Sequence, residues 1–186
     1  SAGNTVFKIK ANGDVFTDGA TTIGTPADLA EMYPTNEYVP AGTVVSLSTT
    51  TDEWSYDNEE TTNSTFSMAT VRRATYGDEA LGVISTRPGI LLGGNTRGGV
   101  PVAFSGRVPV YVTNENGRVM RGDALTISSS TPGYAMRATE NTHTIGRALS
   151  DADEIATSTR VLMVVENKDK TLTLRNVDGL GAIGAA

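Results

Sequence analysis

The chain contains no cysteine and a single histidine, His143. Thiolate zinc sites, disulfide frameworks, cysteine nucleophiles and multi-histidine metal centres are excluded before any motif is read. No metal and no cofactor is expected. Aromatic residues are scarce, at 6%. The longest apolar runs, Val161 to Val165 and Ile90 to Leu92, fall far short of the roughly 18 to 20 residues of a membrane-spanning helix, so no membrane span is expected. Basic residues are also few: 15 Lys and Arg stand against 21 Asp and Glu, a net charge of -6. That balance repels a polyanion, so nucleic acid is not an expected partner. The opening Ser-Ala-Gly-Asn has no basic region leading into an apolar stretch, so a secretory signal is expected to have lain upstream or never to have existed.

What is present favours pleated strands. The 186 residues suit one core with appendages. With 20 Gly, 7 Pro and abundant Thr and Ser, the expected fold class is all-β, a barrel- or sandwich-like body. Residues 5–17, TVFKIKANGDVFT, alternate around Asn12-Gly13, the dipeptide that accepts the positive φ angles of a two-residue type I′ turn, and predict an N-terminal β-hairpin arm. A two-stranded hairpin is marginal in water and needs a surface to lie on, its own body or another subunit. The stretch TPADLAEMYP offers Thr25 as a cap, Pro26 at the first turn, Asp28 three residues after the cap and Pro34 as a stop. It predicts one short helix over residues 26–32.

From residue 41 onward the pattern is strands divided by turn signals, with a Thr-, Asn- and acid-rich stretch at residues 49–67 that reads as a surface loop or an excursion from an edge. Two stretches match. GTVVSLS, TVRRAT and ALGVIS recur as GDALTIS, YAMRAT and TIGRALS, with Gly42 answering Gly122, Arg73-Ala74-Thr75 answering Arg137-Ala138-Thr139, and Gly82 answering Gly146. A repeated three-strand unit predicts a pseudo-symmetric barrel in which neither unit buries its apolar face alone. The domain reading is therefore an arm over 1–24, a body over 25–166, and a final strand with a Gly/Ala tail over 167–186. In that tail Leu180 and Ile183 are the only large apolar groups after residue 177.

Chemistry-bearing residues are sparse. Asp28 and Glu31 are three apart and would share one helical face. There, two carboxylates can push one pKa up and divide acid from base work; alternatively Asp28 completes a capping box and Glu31 is a solvated charge. His143, in ENTHT, reads as a surface turn residue, Arg121-Gly122-Asp123 as a β-turn of the repeat, and Gly93 to Gly99 as a flexible turn without the Gly-Lys-Ser/Thr ending of a phosphate loop. Trp54, Tyr56 and the acids Asp52, Glu53, Asp57, Glu59 and Glu60 suit a solvated loop better than a calcium or sugar contact, since no EF-hand spacing is present.

The stretches ADLAEMYP, PAGTVVSLS, GVISTRPGILLGG, GVPVAFSGRVPVYVTNENGRVMRGDALTISSSTPGYAMRA and TIGRALS resemble the C-terminal autoprocessing, intramolecular chaperone domain of phage neck-appendage and tail-fibre proteins, the glutamic peptidase G2 type. The resemblance runs over about residues 5–166. It implies a β-rich domain that follows a fibrous stem, helps it trimerise and in some members cuts the chain before the Asp of a Ser-Asp-x-x-Glu motif. Transferred here, the pair is Asp28 and Glu31 and the bond is Ala27–Asp28. The residue before the Asp is Ala27, not Ser, and a methyl group cannot act as a nucleophile, so no self-cleavage is expected.

The function expected from the sequence is a non-catalytic structural subunit, extracellular, on a cell surface or in a virion. It would assemble with copies of itself into a trimer or filament by strand addition, through Val6, Phe7, Ile9, Val15 and Phe16 in the arm and Leu180 and Ile183 in the tail. The alternatives are an autoproteolytic chaperone domain with Asp28 and Glu31 catalytic, and a module whose loops 49–67 and 87–99 bind cell-surface glycan.

Overall fold

The computed structural model describes residues 7–9, 11, 15–17, 27–58, 61–93, 96, 98–139, 142–153 and 158–170. Among them there is no helix, and the strands in chain order are β1 (Phe7–Ile9), β2 (Val15–Thr17), β3 (Asp28–Pro34), β4 (Val44–Asn58), β5 (Thr61–Arg73), β6 (Gly82–Ile84), β7 (Ile90–Leu92), β8 (Gly99–Thr113), β9 (Ala124–Ile127), β10 (Ala135–Arg137), β11 (Thr142–Ala148) and β12 (Ser158–Lys170). The expected all-β, barrel-like body is what the chain forms.

The long strand β8 organises that body. In its second half Val108, Val110 and Val112 are buried while Pro109 and Tyr111 between them are half-buried, the period-2 pattern of a strand with one face on a core. This half pairs antiparallel with β12, β12 with β11, β11 with β9 and β9 with β10, and β10 returns to β8 through a parallel contact of Ala135 with Val112. The ring is a closed five-stranded barrel, so its members present no free edge along the closure. Leu125, Ile145 and Met163 are its largest fully buried side chains.

The repeat expected from the sequence is realised position by position. Val45 pairs with Arg73 and Gly82, and its counterpart Leu125 pairs with Arg137 and Gly146. Gly42 and Gly122 both adopt left-handed φ angles, 95° and 90°. Their N–H groups donate to Ile84 and Ala148 carbonyls, each at 2.8 Å. Ile84 faces Val102 on β8 as Ala148 faces Met163 on β12. Glu31 on β3 faces Val102 as Val108 faces Met163, and a parallel bridge from Thr35 to Val71 closes the first ring as Val112–Ala135 closes the second. Two like units therefore share β8: its first half is the last strand of one, and its second half is the first strand of the other. Val39, Val45, Val71, Ile84 and Val102 fill the first unit. Ala30, Val44, Val83 and Ala103, pointing away from that core, join the apolar cluster of the second.

Several expectations change. The helix over residues 26–32 is not formed; Asp28–Pro34 is the strand β3, paired antiparallel with β8 and parallel with β7. A seven-residue helix would leave most of its N–H and C=O groups without intrahelical partners, whereas β3 finds strands on both sides. The stretch 49–67 is an excursion rather than a loop, a long ribbon of β4 and β5. The Gly-rich stretch 87–99 holds β7. His143 lies within β11, half-buried and opposite Asp169, not in a turn. The arm hairpin forms, but Ile9 pairs with Val15, where a two-residue Asn12-Gly13 turn would set it opposite Phe16; the turn residues Asn12 and Gly13 lie outside the described residues.

Two carboxylates lock turns. Asp78 takes two N–H bonds from the Arg72 guanidinium, at 2.7 and 2.9 Å, and the Thr75 N–H and hydroxyl at 2.7 and 2.8 Å; the Arg72 bonds above all hold its pKa down at about 2. Around Glu115 burial opposes the charge, yet the hydroxyls of Ser128, Ser129 and Thr113 outweigh it and its pKa is also about 2. A folded-state pKa below the unfolded one gives stability that is present above the unfolded value and lost as pH falls through the folded one. Stability should therefore fall between about pH 4.5 and 2. Asp78→Asn should flatten part of that limb and cost about 1 kcal/mol at pH 7, allowing for solvent screening of the pair; denaturant titrations across pH 2–7 measure both.

Candidate functional site

β3 carries the two carboxylates singled out in the sequence, and the pleat separates them. Residues three apart on a strand point to opposite faces, not to one. Asp28 shares a face with Ala30, and both are buried, 5% and 0% exposed. Glu31 lies on the other face with Tyr33, which packs against the core of the first unit. The Tyr33 hydroxyl donates to Glu31 Oε2 at 3.4 Å. Burial first, and then the Glu31 charge, push the Tyr33 pKa up.

Backbone hydrogen bonds hold the chain just before and just after the Ala27–Asp28 bond. The Ala27 carbonyl accepts the Arg107 N–H at 2.9 Å, and the Asp28 carbonyl accepts the Gly89 N–H at 2.9 Å. Opposite it sits Gly106 with φ of 94°, where a Cβ would lie 2.1 Å from the Ala27 oxygen; only glycine allows so close an approach. Ser85 donates its hydroxyl to Asp28 Oδ2 at 2.5 Å, while Asp28 Oδ1 is buried with no hydrogen-bond partner. The second unit supplies an internal comparison. Asp28 and Ser85 are answered there by Ser105 and Leu149, and Glu31 and Tyr33 by the core residues Val108 and Val110. A barrel of this kind closes without either polar pair, so both pairs are additions to the fold.

The second feature is an edge. Among the described residues β7 pairs with β3 and with no other strand. Its three residues are consecutive, apolar and exposed: Ile90 41%, Leu91 45% and Leu92 46%. Because side chains alternate along a strand, both of its faces are apolar, the pattern of a strand covered on both sides. Phe104, 39% exposed, sits at the break in register where β8 meets Leu29 and Ala30 of β3.

The fold has solved counterparts. Over 86% of its length the chain is similar to the pre-mature bacteriophage phi29 gene product 12, with a TM-score of 0.60 at 14% identity, and it spans 24% of that protein's chain. It is also similar to the C-terminal fragment of bacteriophage phi29 gene product 12, with a TM-score of 0.50 at 14% identity, covering 75% of this chain and 100% of the fragment. At that identity the likeness to gene product 12 is one of fold. No family model and no curated protein matches the sequence.

Within this gene product 12-like fold, Phe7, Ile9, Val15 and Phe16 lie in β1 and β2, while Val6, Leu180 and Ile183 lie outside the described residues. Arg121-Gly122-Asp123 is the turn expected of the repeat: Asp123 Oδ2 accepts the Met120 N–H at 2.7 Å and Asp151 Oδ1 the Arg121 N–H at 2.6 Å. Asp52 and Glu53 are exposed on the ribbon. After β7 the Thr96 hydroxyl donates to the Gly93 carbonyl at 2.9 Å. Sequence reasoning missed β7 and Ser85. The run Ile90 to Leu92 was the only signal for the first, and nothing local marks the second, which reaches Asp28 from 57 residues away.

Proposed function

We propose that this chain is a non-catalytic structural subunit of a phage or cell-surface appendage, virion-associated or extracellular, and that it assembles with copies of itself through strand contacts. One observation carries the reading: among the described residues the β1–β2 hairpin is a separate two-stranded sheet that pairs with no strand of the ten-stranded body. Such a hairpin gains stability by adding to another sheet. The likeness in fold to a bacteriophage gene product supports the virion setting. Light scattering at micromolar concentration should report a trimer or filament for the full chain and a monomer after deletion of residues 1–19. A full chain that stays monomeric would overturn the proposal.

A second reading, an autoproteolytic chaperone domain, draws on the family resemblance and on the unpartnered Asp28 Oδ1 beside the Ala27–Asp28 bond. Against it stand the methyl side chain of Ala27 and the placement of Glu31 on the opposite face of β3. Mass spectrometry over days of incubation should find the chain intact; a fragment beginning at Asp28 would favour this second reading.

A further inference from the structure

We infer that β7 is the acceptor edge for the β1–β2 hairpin of a second copy of this chain, an assignment that rests on the assembly reading above and gives it an address. The body treats its edges unequally. The β4–β5 ribbon is rich in Thr and Ser and its sequence includes the acids Asp52, Glu53 and Asp57, with no Lys or Arg from residue 44 to 71, which blunts edge-to-edge pairing. β7 has none of these devices. It contains no charge, no proline and no bulge; one edge is paired with β3 and the other with no strand among the described residues, and all three side chains are exposed and apolar. An unprotected apolar edge on an otherwise guarded sheet is a docking edge or an aggregation site.

The hairpin is the matching donor by length, by pairing and by charge. β1, β2 and β7 are each three residues long, so either arm strand can satisfy the free edge without overhang. Among the described residues the hairpin's strands pair with each other only, Phe7 with Thr17 through Ile9 with Val15, leaving one edge of each open for a new ladder. Copies carrying -6 repel one another, but over residues 7–17 Lys8 and Lys10 stand against Asp14 alone, so the hairpin does not share the acidic balance of the body and an acidic neighbour admits it more readily. Added to β7, the hairpin extends the series β8, β3, β7 by two strands and sets its own side chains beside those of Ile90, Leu91 and Leu92. Donor and acceptor are different surfaces, so the contact is heterologous and builds a ring or a filament according to whether the rotation closes.

Because the chain has no cysteine, cross-linking tests this cleanly. Chains bearing one cysteine in the arm, at positions 7, 8, 9, 15, 16 or 17 in turn, are mixed with size-tagged chains carrying Leu91→Cys and mildly oxidised. A disulfide needs Cα atoms roughly 4.4 to 6.8 Å apart. At least one arm position should therefore give a mixed dimer about 5-fold above the yield with Tyr76→Cys, a control in an exposed turn. Leu91→Lys should abolish assembly while the melting temperature stays within about 2 °C, as for an exposed substitution. Assembly by light scattering with no arm position above control would overturn the edge assignment and leave the assembly reading standing. Chains that remain monomeric would overturn both.

Discussion

Alanine at Gly146 or at Gly82 should lower the stability of the chain by about 3 to 4 kcal/mol, near the upper end of single-residue effects. Neither glycine is needed for a left-handed φ; each is needed because a strand passes close by. A Cβ on Gly146 would lie 2.1 Å from the Val164 carbonyl oxygen and 2.9 Å from Met163 Sδ, and one on Gly82 would lie 2.3 Å from the Ala103 oxygen and 2.8 Å from Val102 Cγ1. Backbone cannot retreat on either side, since β11 is held between β9 and β12, and β6 between β4 and β8. Gly77 separates this effect from conformational strain. Its φ is 90° but nothing lies within 4 Å of its added Cβ, so Gly77→Ala should cost only the left-handed penalty of about 1 kcal/mol. Urea titrations of the three variants decide the matter. Equal losses at Gly77 and Gly146 would sink the close-approach account, and unequal losses at Gly82 and Gly146 would break the equivalence of the two units.

Those two glycines also explain why the duplication was legible in the sequence. The turn at Gly42 and Gly122 demands a left-handed residue and the crossings at Gly82 and Gly146 admit no side chain, so steric necessity wrote the same letter twice. The strand β8 was legible as apolar alternation, but sequence carries no mark that one 15-residue strand serves two units, because sharing is decided by partners far along the chain. β3 failed for a related reason. Thr25, Pro26 and Asp28 are capping residues by type, yet pairing with β8, far downstream in the chain, outweighs a local preference of a few tenths of a kcal/mol per residue. Reading a helix also put Asp28 and Glu31 together; the strand period parts them and gives Asp28 to Ser85. The candidate site was thus half visible: the carboxylates could be named, their partners could not. β7, three residues long and flanked by glycine, falls below what periodicity can resolve.

Leu125→Ala should destabilise both units by the same amount, although Leu125 belongs to the second alone. It is fully buried, and truncating such a leucine costs about 2 to 5 kcal/mol in transfer and cavity terms. That the loss spreads follows from the architecture. A strand cannot leave one ring and stay in the other when it is the same strand, so β8 binds the two closures into one transition. The outward face of the first unit, Ala30, Val44, Val83 and Ala103, is moreover continuous with the apolar cluster around Leu125. Hydrogen exchange can read both units at matched positions. The Ile84 and Ser85 N–H groups donate to Thr43 and Pro101 carbonyls at 2.9 and 2.8 Å, and their counterparts Ala148 and Leu149 donate to Asp123 and Leu162 at 2.9 and 2.7 Å. For a loss of about 3 kcal/mol, all four amides should lose protection together, by roughly 100-fold. If Ala148 and Leu149 alone become exchangeable while Ile84 and Ser85 keep their protection, the units unfold separately and β8 must part in the middle, at Gly106, where its φ is already 94°.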